Sequence, residues 1–439
     1  MLAATGSAVG LGNIWKFPYI TGENGGGAFV LVYLLCIAAI GIPIMMAEIM
    51  LGRRGRQSPV NTMALLAKEA GSHKLWKYLG WMGVIAGFLI LSYYSVIAGW
   101  ATAYVFRAAS GVFVGQTADG IGNLFNDLIS DPEKLLAWHT IFIVSTMLVV
   151  SRGVAHGLEK AVRFLMPSLF ILLLIMVGYA INSGAFSEAV NFLFTPNFDA
   201  LTAQGVLIAM GHAFFTLSLG MGAIMVYGAY LDKETSLAQA SIGIAFADTA
   251  VALLAGLAIF PIVFASGLEP GSGPGLIFNT LPIAFGQMVG GTFFGTLFFV
   301  LLVFAAWSSA ISLIEPLVAW LVEKRGMTRV SASVWSGLAV WLVGIGTVLS
   351  FNNWADNKIY GMTFFELVDF LTSNVMLPLG GLLIALFAGW VMKREHAKDE
   401  LAIGSTLWFQ LWLFLVRFVT PTCVIIVFLN ALGVFDLAG

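Results

Sequence analysis

Hydrophobic and polar residues in this chain form long separate blocks, without the short alternation of a soluble helix or strand. Residues 29–46, 135–150 and 293–306 carry no charged side chain. A helix that is apolar on every side lies in lipid or inside a bundle, and crossing a bilayer takes about 20 residues. The pattern therefore predicts an all-α membrane protein of about 11 transmembrane helices. The predicted helices lie near residues 1–16, 27–51, 79–108, 135–152, 158–182, 205–230, 238–265, 286–322, 331–350, 363–392 and 404–434.

Composition supports the same class. Of the 439 residues, 59% are hydrophobic and only 10% are charged, whereas soluble domains have about 25% charged residues. The net charge of −2 gives no basis for binding nucleic acid. The five histidines are scattered without metal-ligand spacing, and no nucleophile lies beside a base. We therefore expect the lipid bilayer to be a partner, and we do not expect an enzyme.

Basic residues orient the predicted helices, because cytoplasmic loops are enriched in Lys and Arg. With the N-terminus in the cytoplasm, sixteen of the 21 Lys and Arg residues fall in inner loops. A shift by one helix would reverse this bias at every later loop. The distribution predicts a multi-pass protein of the cell membrane with a cytoplasmic N-terminus.

Two predicted helices contain segments that are poor in helix formers. Residues 6–13 of helix 1 include three glycines, and residues 216–222 of helix 6 are equally rich in small residues. Each glycine costs a helix about 1 kcal/mol relative to alanine. Helices 1 and 6 are five apart, so they cross the membrane in opposite directions. This predicts a 5+5 inverted repeat with discontinuous helices 1 and 6. Within one transporter domain, 1–439, the first repeat is 1–182, the second is 205–392, and helix 11 is 404–434.

Matched interruptions in two halves of a bundle point to a substrate site. Unwound backbone exposes carbonyls that can ligate a cation and N–H groups that can hold a carboxylate. The alternative is a close helix–helix contact through small residues. A third break is expected between Gly157 and Pro167 near the start of helix 5, with a simple proline kink as its alternative.

Polar groups inside the spans add candidate chemistry. Ionisable residues there are functional hypotheses by default. Ser308 and Ser309 share one face of helix 8 with Ala305, so two hydroxyls and a carbonyl could hold a monovalent cation. The alternative is hydroxyls bonded to their own helix. The acids within the predicted spans are Glu48, Asp248, Glu315 and Asp369.

The motifs at both breaks resemble those of the neurotransmitter:sodium symporter family. Residues 6–18 and 23–29 look like the family's first helix and the turn after it, and residues 214–222 look like its sixth helix. The resemblance covers nearly the whole chain. It implies a bacterial sodium-dependent amino-acid transporter that works by symport and alternating access. Further matches are Tyr94, Ser308, Ser309, Pro316 and Asp369.

The resemblance also implies site residues. The first sodium site would comprise Ala8, Asn13, Thr216 and Asp248, together with the substrate carboxylate. The second would comprise Gly6, Val9, Ala305, Ser308 and Ser309. The substrate pocket would be lined by Ser7, Ala8, Leu11, Gly12, Ile90, Tyr94, Phe215, Thr216, Ser218, Met221, Ser309 and Leu313. The outer gate would be formed by Lys16, Asp369, Tyr94 and Phe215.

The substrate expected from these residues is an amino acid. Monoamine-carrying relatives have an Asp where this chain has Gly10, so the ligand ammonium must be met by carbonyls and hydroxyls, which fits an α-amino acid. A monoamine is the second possibility for the substrate. The ligand carboxylate would meet the Gly12 N–H, Tyr94 and a sodium ion. An apolar side chain, aliphatic or aromatic, would suit the subpocket formed by Ile90, Phe215, Met221 and Leu313.

Three departures from the family qualify this expectation. Asp248 replaces a common Asn and could supply the negative charge that chloride gives in many relatives, so we expect two sodium ions and no chloride requirement. A protonated Asp248 is the alternative. The family's cytoplasmic stretch before helix 1 is not found in this sequence, so we expect Glu323 to lack its usual Arg partner. Either the true start lies upstream or the inner gate is defective, and a non-transporting amino-acid sensor is the alternative function. Many relatives also have twelve helices.

Overall fold

The computed structural model describes residues 2–153, 159–270 and 276–431, and this part of the chain is helical with a single isolated β-bridge. Nine of the helices in this part are long and apolar enough to cross a bilayer. In chain order they are Gly27–Gly55, Lys74–Ala109, Pro132–Val150, Val162–Ile181, Leu237–Ala265, Gly291–Arg325, Arg329–Ser350, Phe364–Val391 and Thr406–Ile426. We number them helices 2, 3, 4, 5, 7, 8, 9, 10 and 11.

The two remaining spans are interrupted, and they are helices 1 and 6. Helix 1 consists of Leu2–Ala8, a bend at residues 9–10, and then Gly12–Lys16 and Phe17–Glu23. Helix 6 consists of Ala203–Thr216 and Ala223–Tyr230, separated by residues 217–222. The predicted all-α class with discontinuous helices 1 and 6 is therefore confirmed.

The break in helix 6 follows from its residue types. Ser218, Gly220 and Gly222 have φ of 55°, 78° and 77°, in the left-handed region that a continuous helix excludes. At Gly220 a Cβ would lie 2.6 Å from the Leu377 carbonyl oxygen, so only glycine fits here. The Gly220 N–H donates to Glu48 Oε2 at 3.1 Å. The buried carboxylate of helix 2 thus satisfies a backbone donor that the break leaves free.

Short helices join the spans. They are Pro59–Glu69, Ala118–Ile129, Phe186–Phe194, Leu276–Thr280 with Leu281–Gln287, and Arg394–Leu401. Helix 8 starts later than the prediction, at Gly291, because Leu281–Gln287 is a separate helix. Helix 5 is continuous over Glu159–Ile181 and contains Pro167, so the proline does not end it. Gly157 lies outside the described residues.

Packing places the two broken helices at the centre. Helix 3 lies against helix 8, the second half of helix 6 lies against helix 2, and the first half of helix 1 contacts helices 5, 7 and 8. Glycines allow these close approaches. A Cβ at Gly87 would lie 2.7 Å from the Leu313 carbonyl oxygen, and one at Gly52 would lie 1.9 Å from that of Met225. The unwound segments are therefore enclosed by protein.

Candidate functional site

The breaks in helices 1 and 6 face each other across a small cavity. Its lining combines unwound backbone with side chains from helices 3 and 8. Eleven of the twelve predicted pocket residues line it. Leu11 does not, because its side chain is buried elsewhere and only its N–H reaches the site, donating to the Tyr94 hydroxyl at 3.1 Å. The lining residues are Ser7, Ala8, Gly10, Gly12, Ile90, Tyr94, Phe215, Thr216, Ser218, Met221, Ser309 and Leu313.

The cavity is nearly closed. Its volume is about 20 Å³, which is room for about one water molecule. Directly outside it lies a wider cavity of about 270 Å³, which Lys16, Asp369 and Phe215 help to line. Phe215 borders both spaces, and Tyr94 borders the small cavity and a second outer one. These two aromatic residues separate the centre of the protein from the outer vestibule.

An ion pair lies above the aromatic residues. Lys16 Nζ is 3.9 Å from Asp369 Oδ1 and 4.6 Å from the centre of the Phe215 ring. Asp369 is held in place, because Tyr93 and Ser373 donate hydrogen bonds of 3.0 and 2.9 Å to the same oxygen. All four predicted gate residues thus lie on one path. Tyr93 and Ser373 were not predicted, since only the tertiary packing brings them to Asp369.

The first predicted sodium site is a compact oxygen cluster. Asn13 Nδ2 donates to Asp248 Oδ1 at 2.7 Å and to Thr216 Oγ1 at 3.1 Å. The Thr216 hydroxyl also contacts both carboxylate oxygens of Asp248, at 3.1 and 3.0 Å. Asn13 Oδ1 accepts from the Gly10 N–H at 2.8 Å. The structure therefore brings together three of the four predicted residues through their side chains, with Ala8 on the adjoining cavity wall.

Asp248 has no basic partner within the described part of the chain, although its side chain is fully buried. A buried carboxylate needs a cation or a proton to balance it. Its neighbours Asn13 and Thr216 offer neutral oxygens, the ligand type that suits a hard monovalent cation. The residues present therefore fit a sodium ion. Coordination through Asn13 Oδ1 requires its amide to turn from the bonds described above.

The second predicted sodium site is formed between helices 1 and 8. The Ser308 hydroxyl donates to the carbonyls of Val9 and Ala305, at 3.3 and 3.0 Å. The Ser309 hydroxyl donates to the carbonyls of Val9 and Ser7, both at 3.2 Å. Two hydroxyls and three carbonyls converge here. Gly6 lies in the half-helix Leu2–Ala8, where a Cβ would lie 2.7 Å from a methyl carbon of Val162 in helix 5.

No side chain larger than that of glycine fits at residue 10. A Cβ there would lie 2.2 Å from Ser309 Oγ and 3.0 Å from the Tyr94 hydroxyl. Ser218 Oγ donates to the Ser7 carbonyl at 3.0 Å and so ties the two breaks together. Carbonyl and hydroxyl groups, and no carboxylate, are therefore the polar groups available to a ligand amine on this side of the cavity.

Two acidic residues of helix 8, Glu315 and Glu323, lie outside the cavity lining. Glu323 does have partners, because both its oxygens accept from the Ser58 N–H at 2.9 Å, and the Asn61 amide donates to it at 2.9 Å. Glu323 thus caps the helix Pro59–Glu69. The Glu323 carboxylate has Ser58 and Asn61 as partners, and the loss of an Arg partner stays a prediction. The buried Glu315 pairs with Arg329.

Comparison with known proteins decides the family. The sequence pattern described as the sodium:neurotransmitter symporter family matches residues 1–119 and 120–437. The chain belongs to this family. The sodium:neurotransmitter symporter family is one of transporters and not an enzyme class.

Relatives of the chain agree. It is 40% identical, over 99% of its length and 96% of the relative's, to an uncharacterised sodium-dependent transporter of Bacillus subtilis. It is 25% identical, over 60% of its length and 39% of the relative's, to a sodium-dependent neutral amino acid transporter of Bos taurus. The crystal structure of MhsT in complex with L-phenylalanine matches with a TM-score of 0.91 and 45% identity, covering 98% of this chain and 97% of that one. Membership of a membrane-spanning, sodium-dependent transporter family is thus shown.

Proposed function

We propose that this protein carries hydrophobic and aromatic L-amino acids across the cell membrane together with sodium ions, by alternating access. The observation that carries this proposal is the buried Asp248 carboxylate beside the breaks in helices 1 and 6, where it contacts Asn13 and Thr216. A transporter that coupled its substrate to no cation would gain nothing from an unbalanced charge at this depth.

Two sodium ions are proposed. The first would bind among Ala8, Asn13, Thr216 and Asp248, and the second among Gly6, Val9, Ala305, Ser308 and Ser309. The carbonyls and hydroxyls of the second cluster lie 3.0–3.3 Å apart, and a cation that attracted all of them would draw helices 1 and 8 together. Sodium binding would thus order the break in helix 1.

The substrate carboxylate is proposed to bind near the Gly12 N–H, Tyr94 and the first sodium ion. Its ammonium would meet carbonyl and hydroxyl groups, because Gly10 leaves no room for an acid. This arrangement favours an amino acid over a monoamine. L-Phenylalanine is bound in the MhsT structure, which supports an aromatic side chain against Ile90 and Met221. Apolar pockets discriminate by only about 1–3 kcal/mol per methylene, so several amino acids should be accepted.

The gate residues are proposed to work in sequence. In the structure the cavity is closed by Phe215 and Tyr94, so the aromatic residues must move for an amino acid to enter. Lys16 and Asp369, 3.9 Å apart, would then close over the ligand before the cytoplasmic side opens. We further propose that the N-terminus faces the cytoplasm and that Asp248 makes chloride unnecessary.

Equilibrium binding tests this proposal first. Purified protein should bind L-phenylalanine in sodium chloride and lose that binding in potassium chloride. Binding that is equal in both salts would contradict sodium coupling. Sodium-dependent binding without uptake into proteoliposomes would instead identify an amino-acid sensor.

A further inference from the structure

A deep cleft opens towards the lipid between helices 4 and 9. Its volume is about 430 Å³, and none of its lining residues borders the central cavity. The cleft extends along helix 4 from Thr140 to Ser151 and along helix 9 from Val330 to Trp341. At 1.5 Å per residue each wall is about 16 Å long. The cleft is therefore as long as a large part of an acyl chain.

The cleft is lined mainly by apolar side chains, and its few polar side chains already make hydrogen bonds within the protein. The Thr140 hydroxyl accepts from Trp341 Nε1 at 2.8 Å, and the Ser333 and Ser151 hydroxyls donate to carbonyls of their own helices. Among the described lining side chains, every hydroxyl and indole hydrogen is thus already donated, so none is left as a donor for a polar ligand. The open flanks are formed by side chains such as Val144 and Val334, which are 52% and 58% exposed. This chemistry suits a hydrocarbon chain.

One end of the cleft is basic. Ser151 and Val330 form that end, and the exposed Arg152 follows directly. Arg329 is already committed to the Glu315 carboxylate and to the Val150 carbonyl. Arg152 makes no ion pair with any residue that the structure describes. Among the described residues nothing engages its guanidinium, which can therefore bind an anion beside the basic end of the cleft.

We propose that this cleft binds one phospholipid with an anionic headgroup, one acyl chain lying between helices 4 and 9 and the phosphate lying at Arg152. Lipid tails are as apolar as the cleft itself, so burial alone does not select one lipid over another. The charge at the basic end does, because a Lys or Arg beside an anionic headgroup contributes about a fivefold preference. A second copy of the chain fits this face less well, since a two-fold contact would bring the two basic ends together.

Native mass spectrometry of the full chain tests the proposal. The protein is taken from nanodiscs that contain equal amounts of phosphatidylglycerol and phosphatidylcholine. We expect one phosphatidylglycerol retained per chain in excess over phosphatidylcholine. Arg152→Gln should reduce that excess about fivefold, whereas Lys68→Gln, on an exposed residue of the helix Pro59–Glu69, should leave it unchanged.

Filling the cleft gives a second, independent test. Val144→Trp should displace the acyl chain and abolish selective retention. Ile141→Trp is the matched control, because Ile141 lies on the same helix with a similar exposure of 51% but outside the cleft. Equal retention of the two lipids, or the same loss in both tryptophan variants, would overturn the proposal. So would a dimer that dissociates with Val144→Trp, which would make the cleft an interface between copies.

Discussion

Asn13 and Asp248 meet at the point where helix 1 resumes after its break. The Asn13 amide nitrogen lies 2.7 Å from the Asp248 carboxylate and 2.9 Å from its backbone carbonyl. The amide oxygen of Asn13 in turn accepts from the Gly10 N–H. One asparagine therefore links the unwound residues of helix 1 to the only charged group of this cluster. A change in the charge of Asp248 should therefore shift Asn13, and with it the backbone of residue 10 that lines the substrate cavity.

Removal of that charge should weaken sodium binding. We predict that Asp248→Asn lowers the apparent sodium affinity about tenfold or more, because a hydrogen-bonded charged group contributes about 1.5–3 kcal/mol. The variant should also acquire a chloride requirement, since an anion is then needed to balance the sodium ions. Substrate uptake by the parent and by the Asp248→Asn variant is measured with gluconate in place of chloride. Loss of uptake in gluconate by the parent protein would show that Asp248 does not replace chloride.

The serine pair of helix 8 should determine the second sodium site. Replacement of both Ser308 and Ser309 by Ala removes two ligand oxygens, so we predict a several-fold weaker sodium affinity in a titration of substrate binding. Thr296→Ala is the control on the same helix, because its hydroxyl donates to the Thr292 carbonyl and not to helix 1. If the double variant keeps the sodium dependence of the parent, the second site is not at these serines.

The outer ion pair should control rate more than stability. Lys16 and Asp369 are partly exposed, so their pair contributes only about 0–1 kcal/mol. We predict that Lys16→Asp and Asp369→Lys each reduce uptake and that the two together recover part of it. Lys358→Asp, on an exposed residue in the loop before the helix that carries Asp369, controls for the change of net charge. No recovery in a folded double variant would argue against direct pairing.

Met221 should set the size of the substrate side chain. It is buried and lines the cavity together with Phe215 and Tyr94. Met221→Phe should narrow the subpocket, so that smaller aliphatic amino acids compete better than tryptophan. Competition binding with a panel of amino acids gives the rank order. An order identical to that of the parent would place the substrate side chain elsewhere.

The sequence predicted the breaks because their cause is local. Glycines at 6, 10, 12, 220 and 222 disfavour a continuous helix wherever the chain places them. The packing could not be predicted in the same way. Pro167 lies inside an unbroken helix, because neighbouring helices can satisfy the backbone groups that a proline leaves free. Gly10 was predicted as a helix breaker and noted for its missing carboxylate, but not as a pocket residue, and it lines the cavity itself.

Residues that support the site were harder to predict than residues that line it. Tyr93 and Ser373 bond Asp369 from helices 3 and 10; Tyr93 lies in the matched segment 92–94, but neither residue was given a role at the gate. Leu11 was expected in the pocket from the family resemblance, but it is absent from the cavity lining because a break changes the direction of successive side chains. Such contacts depend on tertiary structure, and the only sequence signal for them is a polar residue within an apolar helix.

The most direct test of the central claim is uptake by proteoliposomes that contain the purified protein. Labelled L-phenylalanine is supplied outside with an inward sodium gradient, and the matched control has equal sodium on both sides. We predict accumulation above the outside concentration only with the gradient, and its collapse when a sodium ionophore is added. Phenylalanine that equilibrates at the same rate without a sodium gradient, or that never enters, would contradict sodium-coupled symport.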